Sequence, residues 1–261
     1  MNAIDHVHEI PLGNVKAFII EGDKTILVDT GIAPVPLEVL SFFEKSGIKL
    51  GDEQQIEYLK KGSFQFIMDF IKGKSLAIDS IICTHYHADH TGCLKKIKDA
   101  LKVPVAMHPK DIPFVEGKEK PPPSTMLPPK LAKHFKTEPC QVDINLADNQ
   151  MFTPDLQVIH LEGHTKGNLC LLFKEEVLLA GDSVMGKNAL NPAMGSKELN
   201  PPMATASMDQ EKAVRNLEKL LNYEFEIILP SHGEPVKENA KEKLKKLIEE
   251  TRVNEDAGLR R

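Results

Sequence analysis

The chain has no CxxC pair, no run of Lys and Arg that forms an obvious basic patch, no apolar run near the length of a membrane span, and no basic, apolar stretch of signal-peptide type at Met1–His6. Each absence removes a class of function. The four cysteines, Cys83, Cys93, Cys140 and Cys170, have no spacing of a disulfide framework. Cys83 and Cys170 lie in apolar, strand-like runs, where a buried structural thiol is expected rather than a reactive one. The net charge is −5. Without a basic face the main source of nucleic-acid affinity is missing, which weighs against such a partner. A metal in an active site could still attract phosphate by itself. No stretch approaches the roughly 20 apolar residues that cross a bilayer, and Met1–His6 does not open a signal peptide. A cytoplasmic protein with no membrane partner is the expectation. With 261 residues, 41% of them hydrophobic, the chain can bury a substantial core. It is read as a single domain over 1–261.

What is present is an α/β pattern. A strand pair is expected at Ala17–Glu21 and Thr25–Asp29 around Gly22-Asp23. Apolar residues recur at helical spacing over 37–46 and over 53–72, the second broken at Gly62-Ser63. The apolar run Ala77–Thr84 predicts a strand covered on both faces. Asp89–Leu101 predicts a helix with Leu94, Ile97 and Leu101 on one stripe, and Val103–Met107 a strand. Eight prolines between 109 and 139 predict a long loop with one short helix around Lys130–Phe135. A second strand series follows at Leu156–Leu161, Leu169–Phe173 and Val177–Ala180, then a loop over 184–206. Ser207-Met208-Asp209-Gln210 resembles a capping box that opens a helix through about Leu221. Phe225–Leu229 predicts a strand, and Asn239–Arg252 a helix burying Leu244, Leu247 and Ile248. Strands alternating with helices indicate a layered α/β architecture.

The chemistry concentrates in His85-Tyr86-His87-Ala88-Asp89-His90, three imidazoles and a carboxylate within six positions. These groups are the usual ligands of Zn²⁺ and its first-row neighbours. Buried together without a metal, they would leave polar atoms short of partners. In an extended segment His85 and His87 point to one side and Tyr86 to the other, into the core. Asp89 and His90 open the next helix, where a carboxylate suits the positive end of the dipole. Three later strand-like runs end in Gly163-His164-Thr165, Gly181-Asp182 and Ser231-His232-Gly233. An early one ends in Asp29-Thr30-Gly31. In open α/β sheets, sites gather just beyond the carboxyl ends of strands.

His85–Gly92 resembles the HxHxDH signature of the metallo-β-lactamase superfamily. The segments around His164, Asp182 and His232 match its later motifs in order, and Asp29 its early strand-end aspartate. The resemblance spans roughly residues 15–235. It implies an α/β fold, a four-layer αβ/βα sandwich of the metallo-β-lactamase type. It also implies two adjacent metal sites, the first held by His85, His87 and His164, the second by Asp89, His90 and His232. Asp182 would bridge both ions, and Asp29 would orient the ligand loop through hydrogen bonds. Zn²⁺ is the default for both divalent ions, with Fe or Mn also permitted. His6, His8, His108, His134 and His160 fall on no ligand position and are read as surface or packing residues. Lys187 and Asn188 are read as a solvated loop, and Met185, Met194, Met203 and Met208 as packing.

Two ions about 3.5–4 Å apart can hold a hydroxide between them at neutral pH, ready to attack a carbonyl or phosphoryl centre. Asp89 would carry a proton to the leaving group. Gly163-His164-Thr165-Lys166-Gly167-Asn168 looks like glyoxalase-II-like relatives, so the expected substrate is a small ester, thioester or lactone. About 29 residues follow His232, too few for the helical substrate domain of glyoxalase II itself. The alternatives are a phosphodiesterase or RNA-processing nuclease of the same fold, opposed by the acidic charge, and a persulfide-dioxygenase-like iron enzyme. The latter would use His85, His87 (or His164) and Asp182, and the complete second ligand set opposes it. A flavodiiron-type electron carrier would need a flavin domain for which the chain has no room. Lid-like segments at 32–76, 109–139 and 184–206 are expected to set substrate choice, and the first could form a homodimer interface.

Overall fold

Val7–Leu12 (β1) and Val15–Glu21 (β2) form an antiparallel hairpin in which Leu12 faces Val15. The computed structural model describes residues 2–45, 53–122, 137–189 and 197–258. It divides into two compact units, Asp5–Ala147, and Asp148–Arg261 with Met1–Ile4. In Asp5–Ala147 the hairpin continues into Thr25–Val28 (β3), Ser80–Ile82 (β4), Val105–Met107 (β5) and Ile144–Asn145 (β6), a six-stranded sheet in chain order. β3 runs antiparallel to β2, and the β3/β4, β4/β5 and β5/β6 pairs are parallel. Parallel neighbours need crossovers. Helices Leu37–Lys45 (α1), Glu53–Lys61 (α2) and Phe64–Gly73 (α3) occupy the first, and Ala88–Thr91 (α4) and Leu94–Leu101 (α5) the second. Inward residues of the strands, among them Leu27, Ile81 and Val105, share one buried cluster with Ile67, Ile71, Leu94 and Ile97 of the helices.

Four expectations need correction here. The strands read from the sequence begin at Ala17, and β1, which contains Pro11, precedes them. It is the first strand of the sheet, and an edge tolerates a missing donor. The run Ala77–Thr84 gives strand only over Ser80–Ile82. Its partners β3 and β5 are themselves four and three residues long, so the ladder ends early. The single helix expected over Asp89–Leu101 is two, α4 and α5. The break at Gly92-Cys93 has a tertiary cause. Gly92 N donates to Gly31 O (2.9 Å), Cys93 Sγ to Ile32 O (3.2 Å), and a Cβ on residue 92 would lie 2.4 Å from Ala33 N. In the proline-rich stretch, Ile112–Val115 (α6) forms a short helix with Pro113 in its first turn. The helix expected around Lys130–Phe135 lies outside the described residues.

In the second unit the sheet order is Ile227–Pro230 (β13), Val177–Gly181 (β10), Leu169–Phe173 (β9), Leu156–His160 (β8) and Met151–Thr153 (β7). β10 and β13 are parallel, and the other pairs antiparallel. β9, β10 and β13 are buried at every position, so continuous apolar runs rather than alternation encode them. A small two-stranded ribbon joins Met185–Gly186 (β11) to Leu199–Asn200 (β12). Helices Gln210–Asn216 (α7) and Ala240–Gly258 (α8) complete the unit, and α8 buries Leu244, Leu247 and Ile248 as its stripe predicts. The capping box shifts by two residues. The N-cap of α7 is Asp209, whose Oδ1 accepts from Lys212 N at 2.9 Å, and the helix gives way to a 3₁₀ turn at Leu217–Asn222. No helix among the described residues is long and apolar enough to cross a membrane.

All four cysteines are buried and unbridged. Burial pushes the Cys170 thiol up to about 12, and burial with the nearby Asp29 charge raises Cys83 well above its ordinary value. Ellman's reagent at pH 8 should therefore label none of the four within minutes in the native protein, and all four after denaturation. Fast labelling of the native protein contradicts this burial. Gly163 holds φ at 143°, and a Cβ there would lie 2.3 Å from Ala213 N near the start of α7. Gly163→Ala should lower unfolding free energy by about 2 kcal/mol or more. A urea midpoint equal to wild type would contradict that.

Candidate metal centre

Each unit gathers its donors at the carboxyl ends of parallel strands. In Asp5–Ala147 the β3/β4 register sets Val28 opposite Ile82, so Asp29 and Thr84 leave the sheet at the same edge. Asp29 N donates to Ile82 O (2.9 Å), and the residue sits at φ 61°, unusual without glycine. Its buried carboxylate accepts from Thr84 N at Oδ1 (2.8 Å), and at Oδ2 from Thr84 Oγ1 (2.8 Å) and His90 Nδ1 (2.8 Å).

An ionised carboxylate only accepts, so these contacts locate the protons. The single Thr84 hydroxyl proton goes to Asp29. The hydroxyl oxygen then accepts from His85 Nδ1–H (3.0 Å). His90 likewise spends its Nδ1–H on Asp29. Both rings therefore present the Nε2 lone pair, the form that binds a metal. His85 Nε2 lies 3.0 Å from His87 Nδ1, and His90 Nε2 3.7 Å from Asp89 Oδ2. His85 and His90 are fully buried, while His87 and Asp89 are half-buried. The turn that groups them closes through His90 N and Thr91 N, each donating to His87 O at 3.0 Å. The buried Tyr86 ring packs between neighbours, its centroid 4.5 Å from that of Phe114 and 4.8 Å from that of His87, and burial raises its hydroxyl pKa. Its backbone N donates to Asp111 Oδ2 (3.1 Å), a fully buried carboxylate.

In Asp148–Arg261 the parallel β10/β13 pair sets Gly181 opposite Pro230, after a register shift at Leu179. Asp182 and His232 emerge side by side. Asp182 Oδ1 lies 3.5 Å from His232 Nε2, and Oδ2 lies 3.4 Å from His164 Nε2. One carboxylate thus offers each oxygen to a different imidazole. His164 follows β8, and its Nδ1 lies 3.1 Å from Ser207 Oγ. Behind Asp182, Asn168 Nδ2 donates to Ser183 Oγ (2.7 Å).

These donors fit a small divalent cation. Tetrahedral ligands at 2.0–2.1 Å from Zn²⁺ stand about 3.3 Å from one another, and the spacings within the units run from 3.0 to 3.7 Å. The set is nitrogen and oxygen throughout, which suits Zn, Fe or Mn. Every candidate has its place: Asp29, His85, His87, Asp89 and His90 in one unit, and His164, Asp182 and His232 in the other. Of the remaining histidines, His8 pairs with Glu21 (2.5 Å), His108 Nδ1 accepts from Lys110 N (3.3 Å), and His160 Nε2 meets Lys166 O (2.9 Å). Neither these nor His6 joins a metal-type cluster among the described residues, and His134 lies outside them. Sequence reasoning missed Thr84, Asp111 and Ser207. Thr84 could have been found as the hydroxyl at the strand end before His85. Asp111 carries no signal within a proline-rich stretch, and the Ser207 signal pointed to a helix cap.

Residues 10–232 match the family model of the metallo-beta-lactamase superfamily. A beta-lactamase-like protein 2 homolog of Drosophila melanogaster is 25% identical over 228 residues, covering 86% of this chain and 63% of the fly protein. The chain thus spans less than two thirds of that relative. Probable metallo-hydrolase YflN of Bacillus subtilis (strain 168) is 30% identical over 179 residues, 63% of this chain and 67% of its own length. Among solved structures, metallo-beta-lactamase family protein TTHA1429 from Thermus thermophilus superimposes with a TM-score of 0.65 at 17% identity, covering 97% of this chain and 81% of the other. The fold is the α/β sandwich of that group. With strand-end histidines and aspartates of metal-binding type and a family match over most of its length, this chain belongs to the metallo-β-lactamase superfamily.

Proposed function

We propose that the two donor sets act together, as one domain, around two divalent cations, and that the chain hydrolyses a small ester, thioester or lactone. His85, His87 and His164 would hold the first ion, Asp89, His90 and His232 the second, and Asp182 both. The observation that carries this reading is Asp182, whose two oxygens each face a separate imidazole, at 3.4 and 3.5 Å. Divalent ions such as Zn²⁺ held by these residues would supply Lewis-acid activation of a water nucleophile and of the substrate carbonyl.

The chain's own residues do the rest. Asp29 and Thr84 fix the protons of His85 and His90, so both lone pairs are ready without reorganisation. Asp89, half-buried in the first turn of α4, can carry a proton to the leaving group. The likeness of Gly163–Asn168 to glyoxalase-II-like relatives supports a carboxyl substrate, and the charge of −5 disfavours polyanions. The segments at 32–76, 109–139 and 184–206 would choose among substrates. A cytoplasmic site of action, and a homodimer through the first segment, belong to the same reading.

Protein purified without added metal should carry two zinc ions per chain and turn over thioesters or lactones in preference to β-lactams and phosphodiesters. Chelation should abolish turnover and zinc restore it. Phosphodiester hydrolysis alone, or one iron per chain with oxygen consumption, would overturn the assignment. Asp89→Asn should lower kcat by about 10²-fold or more, and wild-type kcat in that variant would remove Asp89 from the proton path.

A further inference from the structure

We infer that Ser207 is a positioning residue that sets the tautomer of His164, and through it the affinity of the centre for its metal. The inference rests on the metallo-hydrolase reading above, in which His164 is a ligand. Ser207 Oγ makes two contacts, at 2.9 Å to Met203 O and at 3.1 Å to His164 Nδ1. A carbonyl oxygen can only accept, so the first contact takes the single hydroxyl proton. The second is then satisfied only if His164 Nδ1–H donates to the hydroxyl oxygen. In the neutral ring that leaves the lone pair on Nε2, which lies 3.4 Å from Asp182 Oδ2. Two acceptors at this distance suit a cation between them. The hydroxyl makes His164 a metal ligand instead of a hydrogen-bond donor to Asp182.

The backbone around Ser207 prepares this contact. Met208 N donates to His164 O (3.0 Å), Asp209 N donates to Gly163 O (3.0 Å), and Gln210 Nε2 donates to Pro202 O (2.8 Å). Residues 202–210 thus clamp both the main chain and the ring of the His164 loop. The close approach of Gly163 to Ala213 brings the start of α7 to that loop. Because these bonds do not involve the hydroxyl, and Ser207 N also donates to Met203 O (3.0 Å), removing the hydroxyl costs the ring contact and one of two bonds to that carbonyl while the loop stays held. Thr84 plays the same part for His85 in the other unit, with Asp29 taking the hydroxyl proton. Ser207 lies far from any ligand motif in sequence.

The test compares wild type, Ser207→Ala and Ser207→Thr. Zinc affinity is measured by competition with a chromophoric chelator, and the Co²⁺-substituted absorption spectrum reports ligand geometry. Thermal unfolding of the metal-free proteins reports any structural cost. We expect Ser207→Ala to bind zinc about 10–100-fold more weakly with an altered Co²⁺ spectrum. Its metal-free unfolding midpoint should stay close to wild type. Ser207→Thr, which keeps a hydroxyl, should restore both affinity and spectrum. Zinc affinity within about twofold of wild type in Ser207→Ala overturns the inference while the hydrolase reading stands. Failure of Ser207→Thr to restore affinity, with its fold intact, also overturns it. A wild-type chain that takes up no metal overturns both.

Discussion

The buried carboxylate of Asp29 is the constraint on which the donor set of the first unit depends. It collects three hydrogen bonds, two from Thr84 and one from His90. It thereby ties the end of β4 to the turn of α4 and fixes two imidazole tautomers at once. The arrangement has a cost, because Asp29 sits at positive φ, worth about 1–3 kcal/mol. Hydrogen bonds to a charged group contribute about 1.5–3 kcal/mol each, so three of them outweigh the strain. Parallel pairing makes the geometry available. Because β3 and β4 run in the same direction in register, the residues just past Val28 and Ile82 meet at one edge.

The second unit solves the same problem with different parts. Parallel β10 and β13 deliver Asp182 and His232 together, and β8, which runs in the same sense, delivers His164 close by. Here Nδ1 of the His164 ring meets a serine hydroxyl whose own proton is committed to a backbone carbonyl. In both units the imidazoles are the part visible in the sequence. The hydroxyls and the carboxylate behind them bear on which nitrogen carries the proton.

The places of His85, His87 and Asp182 just past strand ends were legible in the sequence because each follows an apolar run of strand length, whereas ligand roles for them were only what the family resemblance implied. The helix break at Gly92 was not legible, since it is imposed by contacts with Gly31, Ile32 and Ala33 some sixty residues earlier. β1, which contains Pro11, precedes the strands read from the sequence, and an edge strand accepts that proline. The length of β4 was overread, because an apolar run reports burial and not the extent of the ladder. Ser207 was read as a cap, and Asp209 took that role, because Ser, Thr and Asp offer the same local chemistry. Which one caps depends on what else competes for the hydroxyl, in this case the ring of His164.

The account stands on a pair of neighbouring cations held by this chain, and anomalous X-ray scattering from zinc-loaded crystals tests it most directly. The account predicts two anomalous peaks about 3.5–4 Å apart. His85, His87 and His164 should surround one, Asp89, His90 and His232 the other, with Asp182 touching both. Crystals soaked in saturating zinc that show no peak, a single peak, or zinc only away from these residues would contradict it.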